Sequence, residues 1–203
     1  MKKLHYFSAI IISIFVSFHL LNHILSILSL EAHIEMMEVF RKVYRNMWVE
    51  TLLLLAVLVQ IVSGGKLFLT KRKLQLDAFQ KLQLWSGLYL AVFFLIHISA
   101  VLAGRLVLHL DTNVYFGAAG LNTFPLNIFF IPYYTLAILS FFGHIAAIHH
   151  QKMKTSICGI PVAQQSKGIL ILGGLLTILI LYGLTNGFSG IEVPEEYGVL
   201  IGK

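Results

Sequence analysis

Four histidines lie inside long apolar stretches of this sequence and are its clearest candidates for chemistry: His19, His23, His97 and His144. An ionisable group at membrane depth is costly, so its presence is by default a functional hypothesis. The nine acidic residues all lie outside these stretches or at their ends, and no Lys or Arg lies in the middle of one. The sequence therefore places no charged side chain where a carboxylate-based proton path or a pump of charged substrates would need one. The chemistry available at depth is that of imidazole.

Two of these histidines are predicted to lie at the same level. His19 follows Leu4, where the first stretch begins, by 15 residues, and His97 follows Leu82, where the third begins, by 15 residues. At about 1.5 Å per residue, both lie roughly 22 Å from the inner face. Two neutral imidazoles at one level on two helices can ligate an iron porphyrin from opposite sides, and bis-imidazole ligation suits electron transfer.

The alternative is that each histidine hydrogen-bonds a neighbouring helix as a packing residue. For a single histidine this alternative is the better interpretation, and we interpret His23, one turn beyond His19, as a packing or headgroup-region residue. For the matched pair His19 and His97 we favour the ligand interpretation. His144 falls in the inner half of the fourth stretch, and Gln60 in the second stretch lies at a similar level.

The apolar stretches predict the fold class. The chain has 203 residues, of which 58% are hydrophobic and 12% charged, whereas soluble domains are about one quarter charged. A helix needs about 20 apolar residues to cross a bilayer. We therefore expect a single transmembrane domain over 1–203, an all-α integral membrane protein with a bundle of five transmembrane helices at about 4–30, 48–66, 82–104, 126–150 and 168–187. The first run is longer than an ordinary signal-peptide core and has no clear cleavage site, so we expect a retained helix.

Basic residues predict the orientation. With the N-terminus inside, ten Lys and Arg residues fall in inner segments and five in outer segments, which favours an N-in, C-out arrangement. The basic residues lie in short loops between apolar runs, so nothing indicates nucleic acid as a partner. The outer segment Glu31 to Asn46 is amphipathic and is predicted to form a helix on the membrane surface.

Three segments resemble a known family. FHLLNH at 18–23, KLQLWSG at 81–87 and GHIAA at 143–147 are similar to ligand and helix-start sequences of the cytochrome b membrane anchor of succinate:quinone oxidoreductases and fumarate reductases, in its single-chain five-helix form. The resemblance implies haem b as cofactor, quinone as electron-transfer partner and a bacterial inner (cytoplasmic) membrane. It also implies that each of the first four helices supplies one haem ligand, with helices one and three holding an outer haem and helices two and four an inner haem.

Two positions depart from the family pattern. The expected ligand of helix two is replaced by Gln60, and an amide is a poor ligand for haem iron. The Arg that often precedes the Ser/Thr-Gly pair of helix three is replaced by Leu84 and Trp85. The sequence therefore favours one haem over two. The residues assigned to cofactor binding are His19, His97, His144, Gln60 and Arg105, with His19 and His97 as the metal ligands.

With an outer haem bound, Arg105 or His109, at the outer end of helix three, could pair with its propionates; we favour the alternative that both are solvated loop residues. No residue is assigned a catalytic role. The chain has no Gly-rich dinucleotide fingerprint and only one cysteine, Cys158, so flavin and iron–sulfur clusters would belong to partner subunits.

The leading hypothesis is a haem b membrane anchor that passes electrons between quinone and a partner flavoprotein and iron–sulfur dehydrogenase. The chain would be at most the electron-transfer and quinone subunit of an oxidoreductase complex. A second hypothesis is a structural or binding membrane subunit of the same fold that has lost cofactors. A third is a transporter or metal carrier that uses His19, His23 and His97, although no inverted repeat or midplane carboxylate supports it.

Overall fold

The chain is helical over most of its length. The computed structural model describes residues 2–203, which form seven α-helices. They are α1 (Lys2–Ile24), α2 (Leu30–Tyr44), α3 (Met47–Lys71), α4 (Ala78–Leu106), α5 (Val114–Ala118), α6 (Asn127–Lys152) and α7 (Val162–Leu184). Short 3-10 turns cover Leu25–Ile27, Gly120–Asn122 and Glu195–Ile201.

Five helices are long and apolar enough to cross a membrane: α1 with its 3-10 extension, α3, α4, α6 and α7. The prediction of five such helices is confirmed. They are 23 to 29 residues long, against the roughly 20 that a bilayer requires. Large apolar side chains such as Leu55, Leu95 and Ile171 are exposed on them, which is compatible with contact to lipid. The N-in, C-out direction stays a prediction.

Side-chain caps determine where two of the long helices begin. The Asn46 side chain accepts a hydrogen bond from the backbone of Trp48 at the start of α3. At the start of α4, Asp77 and Gln80 form a reciprocal capping box. These caps satisfy backbone N–H groups that have no partner within the helix.

The five long helices form a closed ring. Each packs on the next one along the chain, and α7 packs back on α1. The connections from α3 to α4 and from α6 to α7 are short, and short connections favour antiparallel neighbours. We call the end of the ring with loops 72–77 and 153–161 the inner end, and the end with α2 and α5 the outer end. In this ring α1 and α4 lie across the interior from each other.

The outer end is covered by α2, α5 and the C-terminal segment. The predicted amphipathic segment is confirmed as a helix, α2, which buries His33, Met37 and Arg41 along one face. This spacing of four residues places the three side chains on the same side of a helix. The Tyr197 hydroxyl donates to the backbone oxygen of Asp111 (3.0 Å), which attaches the C-terminal segment to the loop after α4.

Candidate functional site

The structure brings His19 and His97 together. Their ring centres are 6.3 Å apart, with 64° between the ring planes. His19 comes from α1 and His97 from α4, so the contact crosses the interior of the ring. The geometry agrees with the equal levels that residue counting predicts; their role as ligands stays a prediction.

Aromatic side chains support both rings. Phe15 stacks on His19 at 5.7 Å, and Phe93 stacks on His97 at 5.0 Å. The ring of Tyr134, from α6, meets His97 edge-on at 6.3 Å. Phe15 and Phe93 each lie four residues before the histidine they contact, which is the spacing of neighbours on one helix face. The two imidazoles are therefore held in an apolar, aromatic setting.

Two further histidines extend this group into a cluster. The Nε2 atoms of His19 and His23 are 3.1 Å apart, and the Nδ1 atom of His23 lies 3.1 Å from Nε2 of His33. The Asn22 side-chain amide nitrogen is 3.3 Å from the same nitrogen of His33. His33 is 2% exposed, and burial, together with the nearby His19 and Arg41, lowers the pKa of His33 to about 4.

Sequence reasoning did not find His33, although a signal for it existed. His33, Met37 and Arg41 are spaced by four residues in the amphipathic segment. That spacing could have marked His33 as part of the buried face of α2 rather than as a residue at the membrane surface.

The hydrogen bonds decide which ring nitrogens of the outer pair are available for a ligand. His19 uses Nε2 in its contact with His23, and within residues 2–203 its Nδ1 has no hydrogen-bond partner. In the same range neither ring nitrogen of His97 has one. Two imidazoles that share one metal ion through bonds of about 2 Å have their nitrogens about 4 Å and their ring centres roughly 6 Å apart. The observed separation fits this requirement, provided that His19 binds through Nδ1 or releases His23.

A cavity of about 430 Å³ lies at the inner end between α1, α3, α4 and α6. Its walls include His144 and Gln60, both predicted for the inner site, together with His5 and apolar side chains such as Phe94 and Phe141. The volume is within the range of small-molecule sites, and a mostly apolar lining with a few polar groups is typical of them. Cofactor binding by His144 and Gln60 stays a prediction.

His144 is held by one ring nitrogen. Its Nδ1 is 3.0 Å from the backbone oxygen of Gln83 and 3.2 Å from the Ser86 hydroxyl. A carbonyl oxygen can only accept, so Nδ1 carries the hydrogen and Nε2 has a lone pair. Gly87 lies beside the ring, and a Cβ atom there would be 3.0 Å from Cε1 of His144.

Gln60 connects α3 to the first turns of α1. Its amide nitrogen donates to the backbone oxygen of His5 (2.6 Å) and to the Ser8 hydroxyl (2.7 Å). Both N–H groups of the amide are thereby used. Gln60 positions α1 through these bonds.

Arg105 forms an ion pair with Glu50, which links α4 to α3. This contact does not test the prediction that Arg105 pairs with a haem propionate. His109 is exposed in the loop after α4. A second basic group at the outer end was not predicted as part of the site: Arg41 lies between Glu38 (2.5 Å) and Asp111 (2.7 Å).

Comparisons of the chain with protein-family models, with curated proteins and with solved structures find no match.

Proposed function

We propose that the chain is a haem b-containing membrane anchor that passes electrons between quinone and a partner flavoprotein and iron–sulfur dehydrogenase of the succinate dehydrogenase or fumarate reductase type. The observation that carries the proposal is the His19–His97 pair, whose ring centres are 6.3 Å apart across the interior of the ring. The segments at 18–23, 81–87 and 143–147 support the assignment by their resemblance to the family. When bound, haem supplies one-electron redox chemistry.

The residues of the outer site would each have a defined task. His19 and His97 would hold the iron from α1 and α4, and the aromatic rings of Phe15 and Phe93 would keep both imidazoles oriented and dry. A ligating histidine normally donates its other ring N–H to a partner, which sets its tautomer. If His19 binds through Nδ1, its Nε2–H donates to His23, and the observed 3.1 Å contact supplies that partner.

The dehydrogenase partner is proposed to dock at the inner end. Loops 72–77 and 153–161 are at this end, and the inner segments carry ten of the fifteen Lys and Arg residues. An excess of positive charge favours an acidic surface on the partner.

A second candidate function is a structural or binding membrane subunit without cofactor. One observation favours it: His19, His23 and His33 bond to one another, so these imidazoles are partly satisfied without any ligand. In a membrane interior, hydrogen bonds between helices contribute to packing, as such a role requires.

A spectrum separates the two functions. Chain purified in detergent from haem-supplied cells is expected to show the absorbance band of reduced haem b, and His97→Leu should lose the outer haem because a leucine cannot ligate iron. His149→Leu, which replaces a histidine that bonds to Gln165 near the inner end of α6 and has no role in the outer site, is the matched control and should keep it. Size-exclusion profiles and circular dichroism establish that each variant is folded. A folded wild-type chain without the band would contradict the proposal and favour the structural subunit.

A further inference from the structure

A row of hydrogen bonds leads from α2 to His19 in the interior of the ring. The Nδ1 atom of His23 is 3.1 Å from Nε2 of His33, and the Nε2 atoms of His23 and His19 are 3.1 Å apart. The ring centres at these two contacts are 5.1 Å and 4.5 Å apart. The side-chain amide nitrogen of Asn22 is 3.3 Å from the same Nε2 of His33. We call these four side chains the histidine relay; the proposed function assigns no task to Asn22 or His33.

The α2 end of the histidine relay is closed off from water. His33 is 2% exposed and Asn22 is 4% exposed. His33 shares the buried face of α2 with Met37 and Arg41, and Arg41 is paired with Asp111 in the loop after α4. A hydrogen bond in such surroundings is electrostatically stronger than one in water. The contacts of α2 therefore hold the His33 ring where it can act on the buried histidines of α1.

One group of the histidine relay can only donate, and it sets the direction of the other bonds. The amide nitrogen of Asn22 is a donor, so Nε2 of His33 is the acceptor. His23 must then carry a hydrogen on Nδ1, because two lone pairs would otherwise face each other at 3.1 Å. A neutral imidazole that donates from Nδ1 accepts at Nε2. The Nε2 atom of His19 is therefore the donor of the next bond, and the lone pair of His19 is on Nδ1.

The outer site needs the nitrogen that this direction leaves open. Within residues 2–203 Nδ1 of His19 has no hydrogen-bond partner, and the ring centre of His19 is 6.3 Å from that of His97. Each bond in a row of hydrogen bonds polarises the next. Because His33 accepts from His23, His23 becomes a stronger acceptor for the N–H of His19. A stronger acceptor at this N–H raises the basicity of the nitrogen that would ligate iron.

We propose that His33, oriented by Asn22, is a positioning residue of the outer site. Through His23 it holds the hydrogen of His19 on Nε2, leaves Nδ1 as the ligating nitrogen and strengthens His19 as a donor to iron. A more basic ligand stabilises the ferric haem against the ferrous haem, and so lowers its midpoint potential. This inference rests on the proposed function, since its effect is measured on a bound haem.

The experiment measures the midpoint potential of the outer haem, which is the one that His97→Leu removes, in purified and folded protein. His33→Leu should raise this potential, because His23 loses its acceptor and polarises His19 less. His33→Gln offers an amide oxygen to His23 and should bring the potential back towards the wild-type value. His149→Leu is the matched control and should leave the potential unchanged, because His149 bonds to Gln165 outside the relay.

The sign of the shift separates this role from a purely structural one. If His33→Leu merely loosened α2, water would reach the site, stabilise the more highly charged ferric haem and lower the potential. An unchanged or lowered potential in His33→Leu would therefore overturn the proposal. A wild-type chain without haem would overturn the proposed function as well, whereas a haem-loaded chain that lacks the shift would overturn only the positioning role.

A double variant tests whether His33 acts through His23. His23→Leu should also raise the potential, and adding His33→Leu to it should cause no further rise, because the connection to His19 is already broken. Effects that simply add would show that the two residues act independently, and would overturn the proposal.

A measurement on the wild-type chain covers the case in which His33→Leu does not fold. In the reduced protein a haem with two imidazole ligands is diamagnetic, so ¹⁵N-histidine spectra report which ring nitrogen carries hydrogen. The signals that His23→Leu removes identify His23. We expect its hydrogen on Nδ1; a hydrogen on Nε2 instead would overturn the proposed direction of the relay.

Discussion

At the scale of single residues, the outer end is organised by one buried cation. The side chain of Arg41 is 7% exposed and bonds to Glu38 on its own helix and to Asp111 in the loop after α4. Asp111 is also 3.8 Å from Arg45. A buried charge is tolerated only when it is paired, and the loss of a partner leaves part of its desolvation cost uncompensated. The two carboxylates differ in what they connect: Glu38 lies within α2, whereas Asp111 joins α2 to another part of the chain.

This difference predicts unequal costs for removing the two carboxylates. Asp111→Ala should lower the free energy of unfolding by about 2 kcal/mol, because it leaves the buried Arg41 with one partner and detaches α2 from the loop. Glu38→Ala should cost less than about 1 kcal/mol, because the Glu38 side chain is 54% exposed and its loss leaves the link between Arg41 and Asp111 in place. Denaturation in detergent, followed by circular dichroism, measures both. Equal losses in the two variants would show that the link between α2 and the loop contributes nothing.

At the scale of helices, glycines allow α7 to close the ring. A Cβ atom on Gly173 would come within 2.5 Å of Cβ of Phe142, so α6 and α7 could not keep their present distance with any larger residue there. On the same helix, a Cβ on Gly183 would lie 2.8 Å from the backbone nitrogen of Ile27. Small residues at such contacts let helix backbones approach closely, which is how helices associate where lipid replaces water.

Adjacent glycines of α7 offer a matched test of this close approach. Gly173→Ala should destabilise the bundle by about 1–3 kcal/mol, because the added methyl group overlaps Phe142 in a packed contact. Gly174 has open space around its Cβ position, and Gly174→Ala should be neutral or stabilising by up to about 1 kcal/mol, since alanine is the better helix former. Thermal unfolding in one detergent compares them directly. If both variants had the same midpoint, the α6–α7 contact would not depend on Gly173.

At the scale of the whole molecule, the sequence predicts the number of helices that are long and apolar enough to span a membrane, but not where these helices end. An apolar stretch ends at its first charged residue, whereas the backbone hydrogen bonds of a helix can continue past that residue. For this reason α3 runs on to Lys71, beyond the predicted end at 66. Lysine allows this because its long side chain can carry the charge to water.

Sequence reasoning likewise predicts one part of the candidate site and misses another. Counting residues gives the level of a side chain along its own helix, and this was enough to predict that His19 and His97 meet. It does not give the offset of one helix against another, which brings His5 of α1 to within 2.7 Å of Ser63 of α3. Nor does it give the packing of α2 on the outer end, which buries His33. Both depend on contacts between elements that are distant in the sequence.

The orientation of the bundle in the membrane can be tested by labelling the only cysteine of the chain. Cys158 is exposed in the loop between α6 and α7, next to Lys152 and Lys154, and the excess of basic residues predicts that this loop is inside. A membrane-impermeant maleimide should therefore label Cys158 only after cells are permeabilised. In a Cys158→Ser background, Ser189→Cys, which is exposed beyond the outer end of α7, should be labelled in intact cells. The opposite pattern would reverse the orientation: the His19–His97 pair would then lie in the half of the membrane nearer the cytoplasm, and the basic loops proposed to dock a dehydrogenase would face away from it.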